Sequence, residues 1–406
     1  MKLISTSSQE WQKLCMRQTV RKRRIEERVR TIIDAVYEGG DDALLRFTRK
    51  FDRVKLAPRQ LQVTEAEISG AFQHLDPKFA LQLKHAIQNV NTFYSRPRLK
   101  PVRSVDGDGV VLGEKFDPIE KVGVYIPGGT ASLVSTVYMT VIPARKAGVK
   151  RIILATPPRK DGSVDPHILA VASLLDVDEV YRMGGAQAIA AMAFGTKTVP
   201  KVDKIVGPGN AYVAEAKRQV FGYVDVDTIA GPSEIAVIAN RYSNTQYVLA
   251  DLLGETEHAG GIGFLVTTSK ALGRLARKQI PGGYCMVVKN LDAAVDAVNQ
   301  LAPEHLEIMV RSPQKLAKRI TSAGAIFLGQ YSPVTVGDYV AGPSHVLPTG
   351  GAARVFSGLG IDDFIRRTHM VTYTKKALER MREPLEQITT VEGLPRHFDA
   401  VKVRLT

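Results

Sequence analysis

The sequence has few cysteines and no long uninterrupted apolar run. Its 406 residues include two cysteines, Cys15 and Cys285, and no C-x-x-C motif, which excludes a disulfide framework and a cysteine-rich metal or redox motif. Prolines and glycines break the most apolar stretch, residues 125–144, so no segment reaches the roughly 18 apolar residues of a membrane-spanning helix. Residues 1–20 carry neither the apolar block nor the cleavage site of a signal peptide. We therefore expect a cytoplasmic protein that does not associate with membranes.

The net charge is strongly positive, +14 at pH 7. Such a charge would suit an anionic partner, including nucleic acid. Much of the excess lies in residues 17–30, where basic residues mix with glutamates at helical spacing, a pattern more typical of a solvated helix face. Because no zinc knuckle, helix-turn-helix or RNP signature accompanies this segment, we predict no nucleic-acid partner.

Short β-branched runs alternate with helical stretches from residue 122 onward, whereas residues 20–100 show the helical period. A first run of predicted strands covers 122–126, 151–156, 179–183, 204–206 and 234–239. A second run covers 263–268, 285–288, 306–310 and 325–328. Alternating strands and helices imply parallel βαβ units. The pattern predicts an α/β protein with two parallel sheets, followed by a charged helical segment from Tyr373.

Three glycine-rich loops follow predicted strands of the first run: IPGG (126–129), MGGAQ (183–187) and VGPGN (206–210). The ligand crevice of an open parallel sheet lies beyond the carboxyl ends of its strands. Such loops bring backbone N–H groups and helix N-termini close to a phosphate, although any tight turn also needs glycine. Neither G-x-G-x-x-G nor G-x-x-x-x-G-K-[ST] is present. Together the three loops suggest a dinucleotide site.

Four of the eight histidines have acidic neighbours. They occur in the pairs Glu255 and His258, Glu304 and His305, Asp338 and His345, and Glu392 and His397. The i, i+3 spacing of Glu255 and His258 places both on one helix face, as a metal pair needs. Glu304 and His305 could form a general acid/base pair. Each pair is also common on protein surfaces, so spacing alone leaves both interpretations open.

These pairs lie in long motifs that resemble the histidinol dehydrogenase family. The motifs, in family order, are VGVYIPGG (122–129), STVYMTVIPARKAG (135–148), GGAQAIAAMAFGT (184–196), KIVGPGNAYVAEAKRQV (204–220), AGPSEI (230–235), LAPEHLEIMV (301–310), SPVTVGDYVAGPSHVLPTGGAAR (332–354) and EGLPRH (392–397). The resemblance implies a homodimer with shared active sites. Each subunit would have two incomplete Rossmann-like domains with parallel sheets, plus helical N-terminal and small C-terminal extensions.

The resemblance also implies four segments. Residues 1–120 would be a helical N-terminal part joining the first α/β domain, and 121–232 would be the NAD-binding Rossmann-like domain. Residues 233–370 would complete the first α/β domain and carry the metal and catalytic residues. Residues 371–406 would form a C-terminal extension that reaches the partner subunit.

By resemblance, catalysis falls on Glu304 and His305. The implied metal ligands are Glu255, His258, Asp338 and His397. The implied nucleotide contacts are Tyr125, Gln187 and Asn210. The implied substrate contacts are Ser233, Glu255, His258, His305, Asp338, His345, Glu392 and His397, with Glu392 reaching the neighbouring subunit's site.

The resemblance implies NAD-dependent, four-electron oxidation of L-histidinol to L-histidine through L-histidinaldehyde, at the end of histidine biosynthesis. Zn2+ would hold the imidazole and amine of the substrate. His305 would take the hydroxyl proton, and Glu304 would activate water for attack on the aldehyde. The small-molecule substrate is thus L-histidinol, and the cofactors are Zn2+ and NAD.

One position departs from the family pattern. The family has Q-A-E-H where this chain has E-T-E-H, so a carboxylate stands at Glu255. A carboxylate is a competent zinc ligand but changes the Lewis acidity of the metal, and the ligand types alone do not separate Zn2+ from Mn2+ or Co2+. An alternative hypothesis is a paralogue that oxidises another small primary alcohol, such as a sulfonated diol, to its carboxylate. The retained Glu392 and His397 favour histidinol.

Overall fold

The structure is a computed structural model that describes residues 1–17, 23–95, 101–128, 133–229, 231–257 and 260–406. The chain divides into two compact units. The first comprises Met1–Ser95 and Ile119–Phe364, and the second comprises Arg96–Pro118 and Ile365–Thr406. The four segments expected from the sequence remain a prediction beside this division.

The helices of the described part follow the apolar periodicity of the sequence. They are α1 Gln9–Cys15, α2 Arg23–Phe51, α3 Glu65–Gly70, α4 Pro77–Tyr94, α5 Val134–Ala147, α6 Pro166–Leu174, α7 Gly185–Phe194, α8 Ala211–Val220, α9 Thr245–Glu255, α10 Lys270–Gln279, α11 Leu291–Leu301, α12 Pro313–Ala317, α13 Val334–Tyr339, α14 Lys375–Arg380, α15 Arg382–Val391 and α16 Pro395–Leu405. In α2 the backbone kinks at Gly40, where φ is +51°. Within the described residues, no helix combines the length and apolarity needed to cross a bilayer.

A five-stranded parallel sheet, the first sheet, lies in the first unit. Its strands are β4 Lys121–Tyr125, β5 Arg151–Thr156, β6 Glu179–Arg182, β7 Lys204–Val206 and β8 Asp225–Val226. Their spatial order is β6-β5-β4-β7-β8. Buried residues run almost continuously along β4 to β7, as expected for strands covered on both faces. The order reverses between β4 and β7, which opens a crevice beyond the carboxyl ends of these two strands.

The second sheet, also in the first unit, has six parallel strands. They are β1 Lys2–Leu3, β9 Glu234–Ala239, β10 Ile262–Thr267, β11 Tyr284–Val287, β12 His305–Met309 and β13 Ala325–Leu328. Their order is β1-β11-β10-β9-β12-β13, so without the edge strand β1 the second sheet repeats the strand order of the first. The sequence interpretation was wrong in one assignment. Strand 234–239 does not extend the first sheet but is β9, beside the reversal of the second.

The predicted α/β fold with parallel sheets is confirmed. Three elements outside the parallel sheets belong to the second unit, where β2 Val102–Val105, β3 Val111–Pro118 and β14 Ile365–Thr372 form an antiparallel sheet of order β14-β3-β2. The helices α14, α15 and α16 complete this unit and correspond to the charged helical segment predicted after Tyr373.

Candidate active site

Glu304 and His305 lie at the amino end of β12, and both are buried. Helix α11 ends at Leu301, and the left-handed backbone of the next residue, Ala302 (φ +50°), turns the chain into the strand. The neighbouring strand β9 begins at Glu234, and the register pairs His305 with Ile235. Because residues that precede adjacent parallel strands share one edge, this edge gathers Ser233, Glu234, Glu304 and His305. The sequence argument placed chemistry after strands, whereas here it precedes them.

Backbone and side-chain hydrogen bonds connect Glu234 to both predicted catalytic residues. The Glu234 N–H donates to Glu304 Oε2 at 2.9 Å, and the Glu304 N–H donates to Glu234 Oε1 at 3.3 Å. His305 Nδ1 lies 3.2 Å from the Glu234 carbonyl oxygen. A carbonyl only accepts, so this contact requires the proton on Nδ1 and leaves Nε2 as the basic nitrogen of the neutral ring.

The Glu304 carboxyl is strongly perturbed. Burial raises the pKa of Glu304 well above its usual range, and the nearby carboxylates of Glu234 and Glu255 raise this pKa further. Hydrogen bonds from the Glu234 backbone and the Ser233 side chain act in the opposite direction. A buried carboxyl with a raised pKa holds its proton more readily than an ordinary carboxyl does, a property that suits acid–base chemistry.

Asp338 and His345 lie beside this pair. Asp338, on α13, places its Oδ1 3.6 Å from His305 Nε2. His345 Nδ1 lies 2.8 Å from the Asp338 carbonyl oxygen, and its Nε2 lies 3.2 Å from the hydroxyl of Thr136 on α5. The structure therefore brings four of the predicted site residues together, Glu304, His305, Asp338 and His345, and adds Thr136, which the sequence argument did not single out.

Two of the four predicted metal ligands, Glu255 and Asp338, are described at this edge. Glu255 ends α9, is buried, and is close enough to raise the pKa of Glu304. His258 lies outside the described residues. Glu392 at the end of α15 and His397 in α16 are exposed residues of the second unit. Among the residues that the structure describes, no three His, Cys, Asp or Glu side chains are grouped as a metal site.

The donor chemistry nevertheless fits a divalent cation. The first unit supplies the carboxylates of Glu255 and Asp338, and the remaining predicted ligands are imidazoles, a combination typical of zinc. The carboxylates of Glu234 and Glu255 disfavour the ionised form of the buried Glu304 carboxyl, and a bound cation would offset this repulsion.

The three predicted nucleotide contacts follow β4, β6 and β7, at the carboxyl edge of the first sheet. The Tyr125 hydroxyl accepts a hydrogen bond from the Gly185 N–H at 3.0 Å, and burial raises its pKa to about 12. Asn210 caps α8, its Oδ1 accepting from the Tyr212 N–H at 2.9 Å. Gln187 is buried, and its Nε2 has no hydrogen-bond partner within the described part of the chain. This donor fits an acceptor atom on a nucleotide.

A buried ion pair fixes the loop after β7. Lys217 Nζ contacts Asp227 Oδ1 and donates to the Gly207 carbonyl at 2.8 Å. The Gly207 N–H in turn donates to Asp227 Oδ2 at 2.7 Å. Gly207 has a φ of +111°, and a Cβ there would lie 2.2 Å from the Tyr125 carbonyl oxygen. The backbone at Gly207 is thus packed so closely against Tyr125 that no residue with a side chain fits there.

Glu307, further along β12, and Asp251 on α9 form a pair of interacting carboxyl groups. Glu307 is fully buried, and its Oε1 accepts from the Val334 N–H at 2.9 Å. Burial, together with the charge of Asp251, raises the pKa of Glu307 to about 9. The pair of Glu307 and Asp251 therefore holds on to a proton more strongly than isolated carboxyl groups do. The APEHLE motif thus contributes two buried acids, Glu304 and Glu307.

The sequence argument missed Arg17 and Glu234. Arg17 places its Nε 3.0 Å from Glu234 Oε2 and its Nη2 2.5 Å from Oε1. Arg17 belongs to the segment interpreted as a solvated helix face, but here it is largely buried and ion-paired. A signal for Glu234 was available. A carboxylate that opens the otherwise apolar strand EIAVIA is expected to need a partner.

Two parallel sheets with the same strand order and a buried Glu–His pair at the edge of one of them define the class: an α/β protein with Rossmann-like sheets. The sequence model of the histidinol dehydrogenase family matches residues 15–405. The chain belongs to the histidinol dehydrogenase family.

Individual relatives agree with this membership. A histidinol dehydrogenase of Listeria monocytogenes is 44% identical over 401 residues, covering 94% of this chain and 93% of the relative. One of Clostridium acetobutylicum is 44% identical over 415 residues, covering 97% of this chain and 95% of the relative. The crystal structure of histidinol dehydrogenase from Elizabethkingia anophelis is similar at 34% identity with a TM-score of 0.92, covering 100% of this chain and 97% of that one.

Proposed function

We propose that this chain oxidises L-histidinol to L-histidine through L-histidinaldehyde, with two molecules of NAD+ reduced in succession. The observation that carries this proposal is the buried pair Glu304 and His305, which lies at one sheet edge beside Ser233 and Asp338. The names of the relatives support histidinol as the substrate and do not favour another small alcohol. We place the reaction in the cytoplasm, at the end of histidine biosynthesis.

Glu255, His258, Asp338 and His397 would hold the metal. There Zn2+ would supply Lewis-acid chemistry and would help to hold and orient the amino alcohol. The mixed carboxylate and imidazole donors support this assignment, and so does the offset of buried negative charge that a cation would give.

His305 acts in the first half of the reaction. With its Nδ1 proton held toward the Glu234 carbonyl, Nε2 has the lone pair that takes the hydroxyl proton of the alcohol. The carbinol C–H bond breaks at the same time, and its hydride passes to NAD+. The products of this half are the aldehyde, NADH and protonated His305.

Glu304 acts in the second half. Its carboxylate takes a proton from the water that attacks the aldehyde carbon, and protonated His305 returns its proton to the carbonyl oxygen, which gives the hydrate. The hydrate loses a hydride to the second NAD+ and a proton to a base of the site, so that the carboxylic acid forms. The burial of Glu304 keeps bulk water from the aldehyde, which protects this reactive intermediate between the two steps.

We further propose that Tyr125, Gln187 and Asn210 line the NAD site at the carboxyl edge of the first sheet. The unpartnered buried Nε2 of Gln187 and the crevice between β4 and β7 support this placement. Ser233 and His345 would contact the substrate. The active form would be a homodimer in which Glu392 reaches the site of the partner subunit.

The deciding experiment measures the NADH formed per L-histidinol consumed by the zinc-reconstituted full chain. We expect a ratio close to two that is lost when a chelator removes the metal. The variant His305→Asn should abolish NADH formation, whereas His85→Asn, an exposed histidine on α4, should leave it unchanged. A protein that holds zinc and NAD+ but does not consume histidinol would contradict the proposal.

A further inference from the structure

Glu234 touches both members of the predicted catalytic pair, and a single arginine holds its side chain. We propose that Glu234 is the positioning residue of Glu304 and His305 and that Arg17 fixes it in this role, an inference that rests on the proposed function. Neither residue contacts the reacting atoms in this scheme. They act by fixing where the two catalytic side chains lie.

The contact with Glu304 is reciprocal. The backbone N–H of Glu234 binds the Glu304 carboxyl at 2.9 Å, while the Glu234 carboxylate binds the backbone N–H of Glu304 at 3.3 Å. A displacement of either residue would break both bonds. The Glu304 side chain is therefore fixed from both ends, its main chain by one bond and its carboxyl by the other.

The contact with His305 selects the tautomer. The Glu234 carbonyl can only accept, so at 3.2 Å it holds the proton of the neutral ring on Nδ1. Nε2 then points toward Asp338, where its lone pair is needed to take the hydroxyl proton. If the Glu234 carbonyl moved, the ring could rotate or change tautomer, and the base would be lost.

Arg17 fixes Glu234 with two parallel hydrogen bonds, at 3.0 and 2.5 Å, in the fork geometry that arginine forms with carboxylates. Its Nη1 also donates to the Leu301 carbonyl at 3.1 Å. Arg17 thus joins the start of β9 to the last residue of α11, directly before the turn that presents Glu304. Both partner side chains are largely buried, exposed by 14% and 2%, so little water competes for these bonds.

The charge of Arg17 has a second consequence. A Glu234 carboxylate without this guanidinium would be a buried, uncompensated charge. It would be repelled by Glu304, with which it already interacts electrostatically. Loss of Arg17 is therefore expected to shift Glu234 away from Glu304, opening the reciprocal bonds described above.

The test compares Arg17→Met with Arg17→Lys in the zinc-reconstituted full chain. We expect Arg17→Met to lower kcat by about 10- to 100-fold for both histidinol oxidation and histidinaldehyde oxidation, with KM within about twofold, because removal of outer hydrogen-bond partners typically has this size of effect. Arg17→Lys keeps the charge without the fork and should recover part of the loss. An unchanged kcat in Arg17→Met would overturn the inference.

Arg145→Met is the matched control. Arg145 also pins a carboxylate, Asp178 at 2.8 Å, which accepts from a strand N–H, and Arg145 donates to backbone carbonyls as well. It lies at the amino ends of the strands of the first sheet, away from the proposed sites. Because this pair is exposed by 29% and 36%, Arg145→Met should lower thermal stability less than Arg17→Met does, and it should leave kcat unchanged. An equal loss of kcat in both variants would show a merely structural effect.

Two further measurements separate positioning from loss of fold. In a Glu304→Gln background, Arg17→Met should cause no additional loss in aldehyde oxidation, and a fully multiplicative loss would contradict the inference.

Nitrogen-15 NMR of labelled histidines should show His305 protonated on Nδ1 in the unchanged protein and a mixture of tautomers in Arg17→Met. The NMR result does not need turnover. Failure to oxidise histidinol would count against the proposed function alone, whereas a His305 protonated on Nε2 would overturn the positioning role.

Discussion

Replacing Lys217 with methionine tests whether a buried ion pair holds the loop after β7. The side chains of Lys217 and Asp227 are exposed by 2% and 3%. Methionine fills a similar volume but leaves the Asp227 carboxylate buried, and among the described residues only the N–H groups of Gly207 and Thr228 then donate to it. Removing one partner of such a pair costs about 3–5 kcal/mol. We expect the free energy of unfolding to fall by about this amount.

The assay is urea unfolding of the full chain, followed by far-UV circular dichroism. Arg319→Met is the control, because Arg319 and Asp292 form a pair of 2.6 Å with side chains exposed by 48% and 65%. Exposed pairs contribute about 0–1 kcal/mol. A cost for Lys217→Met no larger than the cost for Arg319→Met would refute the reasoning. The double variant Lys217→Met/Asp227→Asn should recover part of the loss, since it removes the isolated charge.

Three other changes have defined outcomes. His305→Asn should abolish the first hydride transfer, whereas Glu304→Gln should spare oxidation to the aldehyde better than oxidation to the acid. Stopped-flow measurement of NADH formation from histidinol and from histidinaldehyde separates the two steps. Equal losses in both steps would contradict the division of roles between Glu304 and His305. Since the pKa of Glu307 is raised to about 9 on folding, the folded state binds the extra proton, so the free energy of unfolding should fall as pH rises from the ordinary carboxyl pKa toward 9. Glu307→Gln should flatten this dependence in urea titrations at several pH values, and an unchanged slope would contradict it. Gly207→Ala should weaken NAD+ binding in calorimetry through a backbone clash, whereas Gly222→Ala, also at positive φ but with open space around it, should show only the strain of about 1–2 kcal/mol in unfolding.

The sequence predicts the parallel strands well because their burial on both faces makes them continuous apolar runs, as in β5 and β9. The antiparallel strand β14, IRRTHMVT, has almost every residue exposed and carries no such run. Strand β8 has only two residues. The placement of β9 in the second sheet could not be predicted, because local periodicity contains no information on which strands become neighbours.

The site shows the same limit. Residue types alone leave Glu304 and His305 as a dipeptide common on surfaces, and only the resemblance assigns them a role. The partners that hold them are invisible to spacing rules, because Arg17 and Glu234 are 217 residues apart in sequence. Their meeting depends on the neighbouring positions of β9 and β12 and on the segment that brings Arg17 to the start of β9, which are properties of the folded sheet.

The position of His305 as the first residue of a central strand makes strand alignment part of the chemistry. Side chains alternate between the two faces of a sheet, so a slip of one residue between β9 and β12 would turn His305 to the opposite face. If the segment from Ala302 to Glu304 gained or lost one residue, Glu304 or Leu306 would therefore take the position of His305 in the sheet. Length variation in this enzyme is expected to be tolerated at the opposite, carboxyl end of β12, where the alignment is already set.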